Sequence, residues 1–155
     1  MTEQELLREA LDEGLLGRPA NEVQRLAKRW AKNGELRRRQ GQPLKVAVLS
    51  SFLTDYLCEA LPLFFSRHGF AAELYQGAYG QLASEILDPQ GGLRAFAPDL
   101  VLILPTHRDL SRVPALGADA GQASAAAQEE AGFWQGLWSR LDMPVLQLSF
   151  DPPAL

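Results

Sequence analysis

Cysteine and histidine are scarce in this 155-residue chain, which has one cysteine, Cys58, and two histidines, His68 and His107. A lone cysteine excludes an intramolecular disulfide. Two histidines and one cysteine, far apart and on different predicted elements, exclude a zinc-type ligand cluster. No Gly-x-x-x-x-Gly-Lys loop occurs, and no Gly-x-Gly-x-x-Gly follows the first predicted strand, so neither phosphate-cradling device is present. No apolar run approaches the roughly 20 residues of a membrane span. The opening Met-Thr-Glu-Gln-Glu is acidic where a secretory signal is basic and then apolar. These absences point to a reduced, cytoplasmic, soluble protein with no membrane partner.

Basic residues are also unevenly spread. Residues 1–45 carry ten Lys/Arg against seven Asp/Glu, whereas residues 46–155 carry five against twelve, so the net charge of −4 belongs to the later part. An acidic body argues against nucleic acid. Hydrophobic residues make up 46% and charged residues 22%, an ordinary globular balance that can bury a core and argues against disorder.

What is present is organised around Lys45-Val-Ala-Val-Leu-Ser-Ser-Phe-Leu-Thr-Asp-Tyr56. Val46 to Leu49 is a β-favouring run, Ser50-Ser51 breaks it, and Thr54 is placed to cap a helix running through Leu57, Ala60, Leu61, Phe64 and Phe65 to about His68-Gly69. The spacing predicts strand, tight loop and helix. In open α/β proteins the loop at the carboxyl end of the first strand is a common ligand site.

Before this core, residues 1–40 read as a helical pair. Thr2 with Glu5 and Asn21 with Gln24 are capping-box patterns, Gly14 and Gly17-Arg-Pro19 end the first apolar stripe, and Asn33-Gly34 stops the second. Arg37, Arg38 and Arg39 follow as a solvated linker or an anionic-partner patch. After the core, Ala71 to Tyr75 predicts a second strand. Leu82, Ile86 and Leu87 predict a helix, and Leu93 to Phe96 one helical turn. Leu100 to Leu104 has no alternation, which marks a strand covered on both faces, with Val46–Leu49 as its neighbour. Residues 111–126, rich in Gly, Ala and Ser, predict a mobile loop. A helix over Gln128–Leu141 and a strand over Val145–Leu148 complete the order. The expected fold is a three-layer α/β/α sandwich with a mainly parallel, flavodoxin-like sheet over residues 45–155, preceded by a helical extension over residues 1–40. Doubly wound domains commonly close with a further element after a segment such as Ser149-Phe-Asp-Pro-Pro-Ala-Leu155, so a continuation beyond Leu155 is expected.

Chemistry is expected at the carboxyl edge of the strands. Ser50 and Ser51 satisfy loop donors, or one of them acts as a nucleophile activated by histidine. His107, in Pro105-Thr-His-Arg-Asp109, is a pocket group or an exposed loop histidine. Asp55 and Asp109 are carboxylates able to approach the same crevice, Asp55 alternatively stabilising the first helical turn. His68 reads as a partner of the helix C-terminus, and Cys58 as an inert core thiol.

Several segments resemble the amino-terminal domain of FkbH-like proteins of the haloacid-dehalogenase superfamily: Leu49-Ser-Ser-Phe with Thr54-Asp, Glu73-Leu-Tyr-Gln-Gly77, Ile86-Leu-Asp-Pro89, Leu93 with Ala95-Phe-Ala-Pro-Asp99, and Gln147 to Pro152. That domain is similar to SGNH-type hydrolases. Set against their Gly-Asp-Ser-Leu-Thr block, Ser50 to Thr54 puts Phe52 at the nucleophile position, and a one-residue shift puts Ser51 there. Gly77 matches the second-block glycine, whose N–H would serve an oxyanion hole. Pro105-Thr-His-Arg-Asp109 matches the third block loosely, and no Asp-x-x-His follows Leu148. The resemblance implies a catalytically degenerate crevice of Ser50, Ser51, Gly77, Thr106 and His107, with Ser51 and His107 as the only candidates for catalysis. The Asp-x-Asp-x-Thr motif of the haloacid-dehalogenase site is absent, so the resemblance implies no cofactor on this chain and Mg2+ only in a carboxyl-terminal domain beyond Leu155. It further implies two partners, that domain and an acyl carrier protein bearing a glycerate-derived unit. Docking to the carrier is assigned to Arg37, Arg38 and Arg39. The alternatives are an esterase, thioesterase or acyltransferase using Ser51, and a self-association module pairing through Leu11, Leu15, Leu26 and Trp30.

Overall fold

A computed structural model describes residues 2–39 and 41–150, without the side chain of Arg37. Strands β1 (Gln42–Ser50), β2 (Phe70–Gln76), β3 (Leu100–Leu104) and β4 (Val145–Gln147) form one parallel sheet in the order β2-β1-β3-β4. The α/β/α class expected from the sequence is the one observed. The contacts group into two compact units, Met1–Val46 with Thr54–Gln76, and Ala47–Leu53 with Gly77–Leu155.

The first unit contains α1 (Glu3–Ala10), a 3-10 turn (Glu13–Gly17), α2 (Ala20–Lys32), α3 (Gly34–Arg39), α4 (Asp55–Arg67) and β2. Its core joins Leu6, Ala10, Leu15, Leu26, Ala27, Trp30 and Leu36 to Leu63 of α4. Apolar stripes at helical spacing on α1, α2 and α4 have no other way to leave water, so the amino-terminal helices form one hydrophobic core with α4. Leu15, Leu26 and Trp30, three of the four residues assigned to self-association, are thereby consumed internally, and only Leu11 remains exposed.

Local details depart from the sequence expectation where capping decides. Thr2 and Glu5 do form a capping box. Pro19, not Asn21, precedes α2, because its fixed φ suits a helix entry, and Asn21 lies inside the helix. Helix α2 stops at Asn33 as expected, but a further helix, α3, opens at Gly34, so Arg37–Arg39 lie on a helix and not in a linker. Thr54 stands at the N-cap of α4 without capping it. Its hydroxyl instead accepts from Gln76 Nε2 at 3.2 Å, and the same amide donates to Asp55 Oδ1 at 3.0 Å. His68 caps the carboxyl end of α4 through its backbone N–H. Burial pushes the Cys58 thiol up, toward the unreactive protonated form.

The second unit holds the later part of β1, α5 (Leu82–Leu87), α6 (Gly92–Phe96), β3, a 3-10 turn (His107–Asp109), α7 (Ala120–Trp138) and β4. Val101 to Leu104 are buried, as the unbroken apolar run requires. Strand β3 pairs with β4 in register Val101 to Val145, Leu102 to Leu146 and Ile103 to Gln147. The segment expected to be a mobile loop over 111–126 is helical from Ala120 onward. Asp119 and Gln122 form a capping box, with Asp119 Oδ1 accepting from the Gln122 N–H at 2.8 Å and the Gln122 side chain accepting from the Asp119 N–H at 3.0 Å. Alanine, the strongest helix former, fills the turns that follow. No helix among the described residues is long and apolar enough to cross a membrane.

Candidate functional site

The carboxyl ends of β1 and β3 hold Ser50, Ser51, Thr106, His107 and Asp109 within the second unit. Each polar group has a definite assignment. Ser50, buried, donates its hydroxyl to the Leu104 carbonyl at 3.4 Å and accepts the Phe52 N–H at 3.1 Å. A serine at the last position of a strand thus satisfies a loop donor, the structural alternative that its position in the sequence allows. Ser51 donates its backbone N–H to the Leu104 carbonyl at 3.4 Å and its hydroxyl to Asp109 Oδ1 at 2.6 Å.

Asp109 is fixed from its other side. Its Oδ2 accepts the Thr106 N–H at 2.6 Å and the Thr106 hydroxyl at 3.3 Å, while Thr106 Oγ1 accepts the Arg108 N–H at 3.3 Å. This is a capping box around one 3-10 turn. Both carboxylate oxygens are engaged, and charge-assisted bonds of this kind hold a loop firmly. His107 lies half-buried on the same turn. It is the base expected for Ser51, but the single hydroxyl hydrogen of Ser51 is directed to Asp109 in this geometry.

Gly77 directs its N–H to the Val48 carbonyl at 2.9 Å. That amide therefore continues the backbone pairing and does not offer the oxyanion donor that the second-block match implied. The absence of a side chain has a packing reason, since a Cβ at this position would stand 2.7 Å from Leu49 Cδ2.

The arginine patch belongs to the first unit. Arg38 donates Nε to the Gly34 carbonyl at 3.2 Å, and Arg39 pairs with Glu35 at 3.1 Å across one helical turn. Both guanidinium groups remain exposed, and the side chain of Arg37 lies outside the described residues. Asp151 and Pro152, which close the last matched segment, also lie outside them.

Sequence reasoning noted Asp109 but missed its partnership with Ser51. Thr106-x-x-Asp109 is itself a capping-box pattern and was a usable signal for the local half of the arrangement. Glu130, the buried carboxylate of α7, was missed altogether. It accepts from the Ser111 N–H, the Ser111 hydroxyl and the Arg112 N–H at Oε2, and from Trp134 Nε1 at Oε1. Burial alone would raise its pKa, but these bonds outweigh burial and hold it below the usual glutamate value. Among the described residues, no group of three or more His, Cys, Asp or Glu is placed to hold a metal ion.

No protein-family model matches the chain, and no curated protein matches it. Among solved structures, the crystal structure of the N-terminal part of the protein BF1531 from Bacteroides fragilis, containing a phosphatase domain and complexed with Mg, is similar with a TM-score of 0.67. The alignment covers 88% of this chain and 34% of that one, at 20% sequence identity. A likeness at that identity shows a shared fold, and the present chain spans about a third of its neighbour.

Proposed function

We propose that this chain is a non-catalytic binding and positioning domain of a FkbH-like, haloacid-dehalogenase-associated protein in which the phosphoryl and acyl chemistry resides on another domain. The observation that carries the reading is the engagement of the crevice groups with one another: Ser51 with Asp109, Asp109 with Thr106, and Gly77 with Val48. A hydrolase needs a nucleophile facing its base and a free oxyanion donor. Here those groups serve to tie loops to strand ends. The shared fold with a chain described as containing a phosphatase domain is compatible with the same reading. Mg2+ would then belong to an Asp-x-Asp-x-Thr site on that other domain.

The partner we assign is an acyl carrier protein in a cytoplasmic, polyketide-type pathway, docking its acidic surface on the exposed arginines of α3. Opposite charge steers such an encounter and makes it salt-sensitive. Replacing Arg37, Arg38 and Arg39 with glutamate should abolish carrier binding, and unchanged affinity would sink this assignment.

One observation favours a second reading, an acyl-transferring Ser51. Its hydroxyl lies 2.6 Å from a carboxylate, close enough for Asp109 to take the proton. Intact-mass spectrometry after incubation with a fluorophosphonate probe, and separately with short acyl thioesters, decides between the two. The positioning role predicts no adduct and no turnover. An adduct at Ser51 that disappears in Asp109→Asn would establish the second.

A further inference from the structure

A groove of about 490 Å3 opens in the second unit, where α7 faces the segment after Asp109 and the end of β4, and Ser51 is not among its lining residues. Its volume falls within the roughly 300–1,000 Å3 of small-molecule sites. Ala127 and Ala131, one helical turn apart, leave it open on the α7 side. Trp134, Trp138, Val113 and Phe150 contribute its apolar walls. Gln147, the last residue of β4, also lines it, so the groove lies at the carboxyl edge of the sheet, where open α/β folds take ligands.

The polar groups of the lining indicate which ligand suits it. The Trp134 indole N–H is bound to Glu130 and the Trp138 indole N–H to the Gln147 side-chain oxygen, both at 2.8 Å. Glu130 already accepts four hydrogen bonds and has the Arg112 guanidinium 3.8 Å away as its counter-charge. Arg112 in turn lies near Glu129 and over the ring of Phe133, and it donates to the Ser111 hydroxyl. Of the two charged groups in the lining, Arg112 and Glu130 carry opposite signs and face each other, and both indole N–H groups are occupied, so the rest of the wall is apolar. A charged ligand would lose its hydration there without a dedicated counter-charge.

We propose that this groove binds an uncharged, largely hydrocarbon small molecule. The site is independent of the reading of the Ser51 crevice. A polar three-carbon unit would not fill it, so it serves a different ligand from the glycerate-derived one.

Isothermal calorimetry of the full chain with octan-1-ol, octanoate and octylammonium, which share a chain length and differ in charge, tests it. Saturable one-site binding is expected, tightest for octan-1-ol. Ala127→Phe places a ring in the groove from an exposed helix position and should weaken octan-1-ol by about tenfold or more. Gln128→Phe, the neighbouring exposed position outside the groove, should leave binding unchanged. The proposal is overturned by non-saturable binding, by tighter binding of either ion, or by equal effects of the two phenylalanine variants.

Discussion

The hydroxyl of Ser51 and the carboxylate of Asp109 meet at 2.6 Å across 58 residues of sequence, joining the loop after β1 to the turn after β3. Because Asp109 also caps that turn through Thr106, the bond fixes two loops at the carboxyl edge of neighbouring strands.

Loss of this bond should be measurable as stability. Ser51→Ala is expected to lower the unfolding free energy by about 1.5–3 kcal/mol, the range for a hydrogen bond to a charged group. Asp109→Ala should cost more, since it removes the cap as well, by about 1 kcal/mol beyond that. Urea titrations of both single variants and the double variant give the coupling. A coupling near zero would show that the contact does not hold the loops.

Two glycines should differ sharply when changed to alanine. At Gly77 the added methyl meets Leu49 Cδ2, a side-chain end that can shift at a cost of about 1–3 kcal/mol. At Gly41 it meets main chain, with the Phe70 amide nitrogen 2.6 Å away and Gly69 closer still. Backbone cannot step aside, so Gly41→Ala should destabilise much more strongly. Thermal melts in which Gly77→Ala is the weaker of the two would contradict this.

Glu130 makes an acid-side prediction. Its pKa is lower in the folded chain than the ordinary value, so it contributes stability above the unfolded pKa. That contribution is lost as pH falls through the folded value, so the loss should develop below about pH 5. Glu130→Gln should flatten this part of the stability profile while lowering stability at neutral pH. A variant that keeps the wild-type acid slope would remove Glu130 from the account.

Trp30 is buried in the first unit with its indole nitrogen lacking a hydrogen-bond partner. Leaving a buried donor unpaired is costly, which offsets part of the gain from burying the ring. Trp30→Phe should therefore change stability by less than about 1.5 kcal/mol, whereas Trp30→Ala should cost about 3–5 kcal/mol. Guanidinium denaturation of both variants separates a packing role from a polar one.

What the sequence made legible was the part written in local patterns. The unbroken run Leu100–Leu104 marks a covered strand because both its faces must be apolar, and it is one. The stripes of α1 and α2 marked helices correctly. They could not indicate that Leu63 of α4 completes their core, because periodicity shows which face is buried and not against what. Residues 120–126 read as loop from composition, although Asp119 and Gln122 carry the start signal of α7. At the crevice, Ser50, Ser51, Thr106 and His107 were all noticed. The serine's actual partner was not foreseen, since a hydrogen bond across 58 residues leaves no spacing signature.

The three tryptophans are divided between the two compact units, and their surroundings differ. Trp30 is enclosed in the first unit, while Trp134 and the partly exposed Trp138 belong to the second. Each unit therefore carries its own intrinsic fluorophore, with emission short in wavelength for the enclosed Trp30 and longer for the wetter Trp138. Single-tryptophan versions of the chain would report the melting of each unit separately, and noncoincident curves would show that this small protein unfolds in two optical stages.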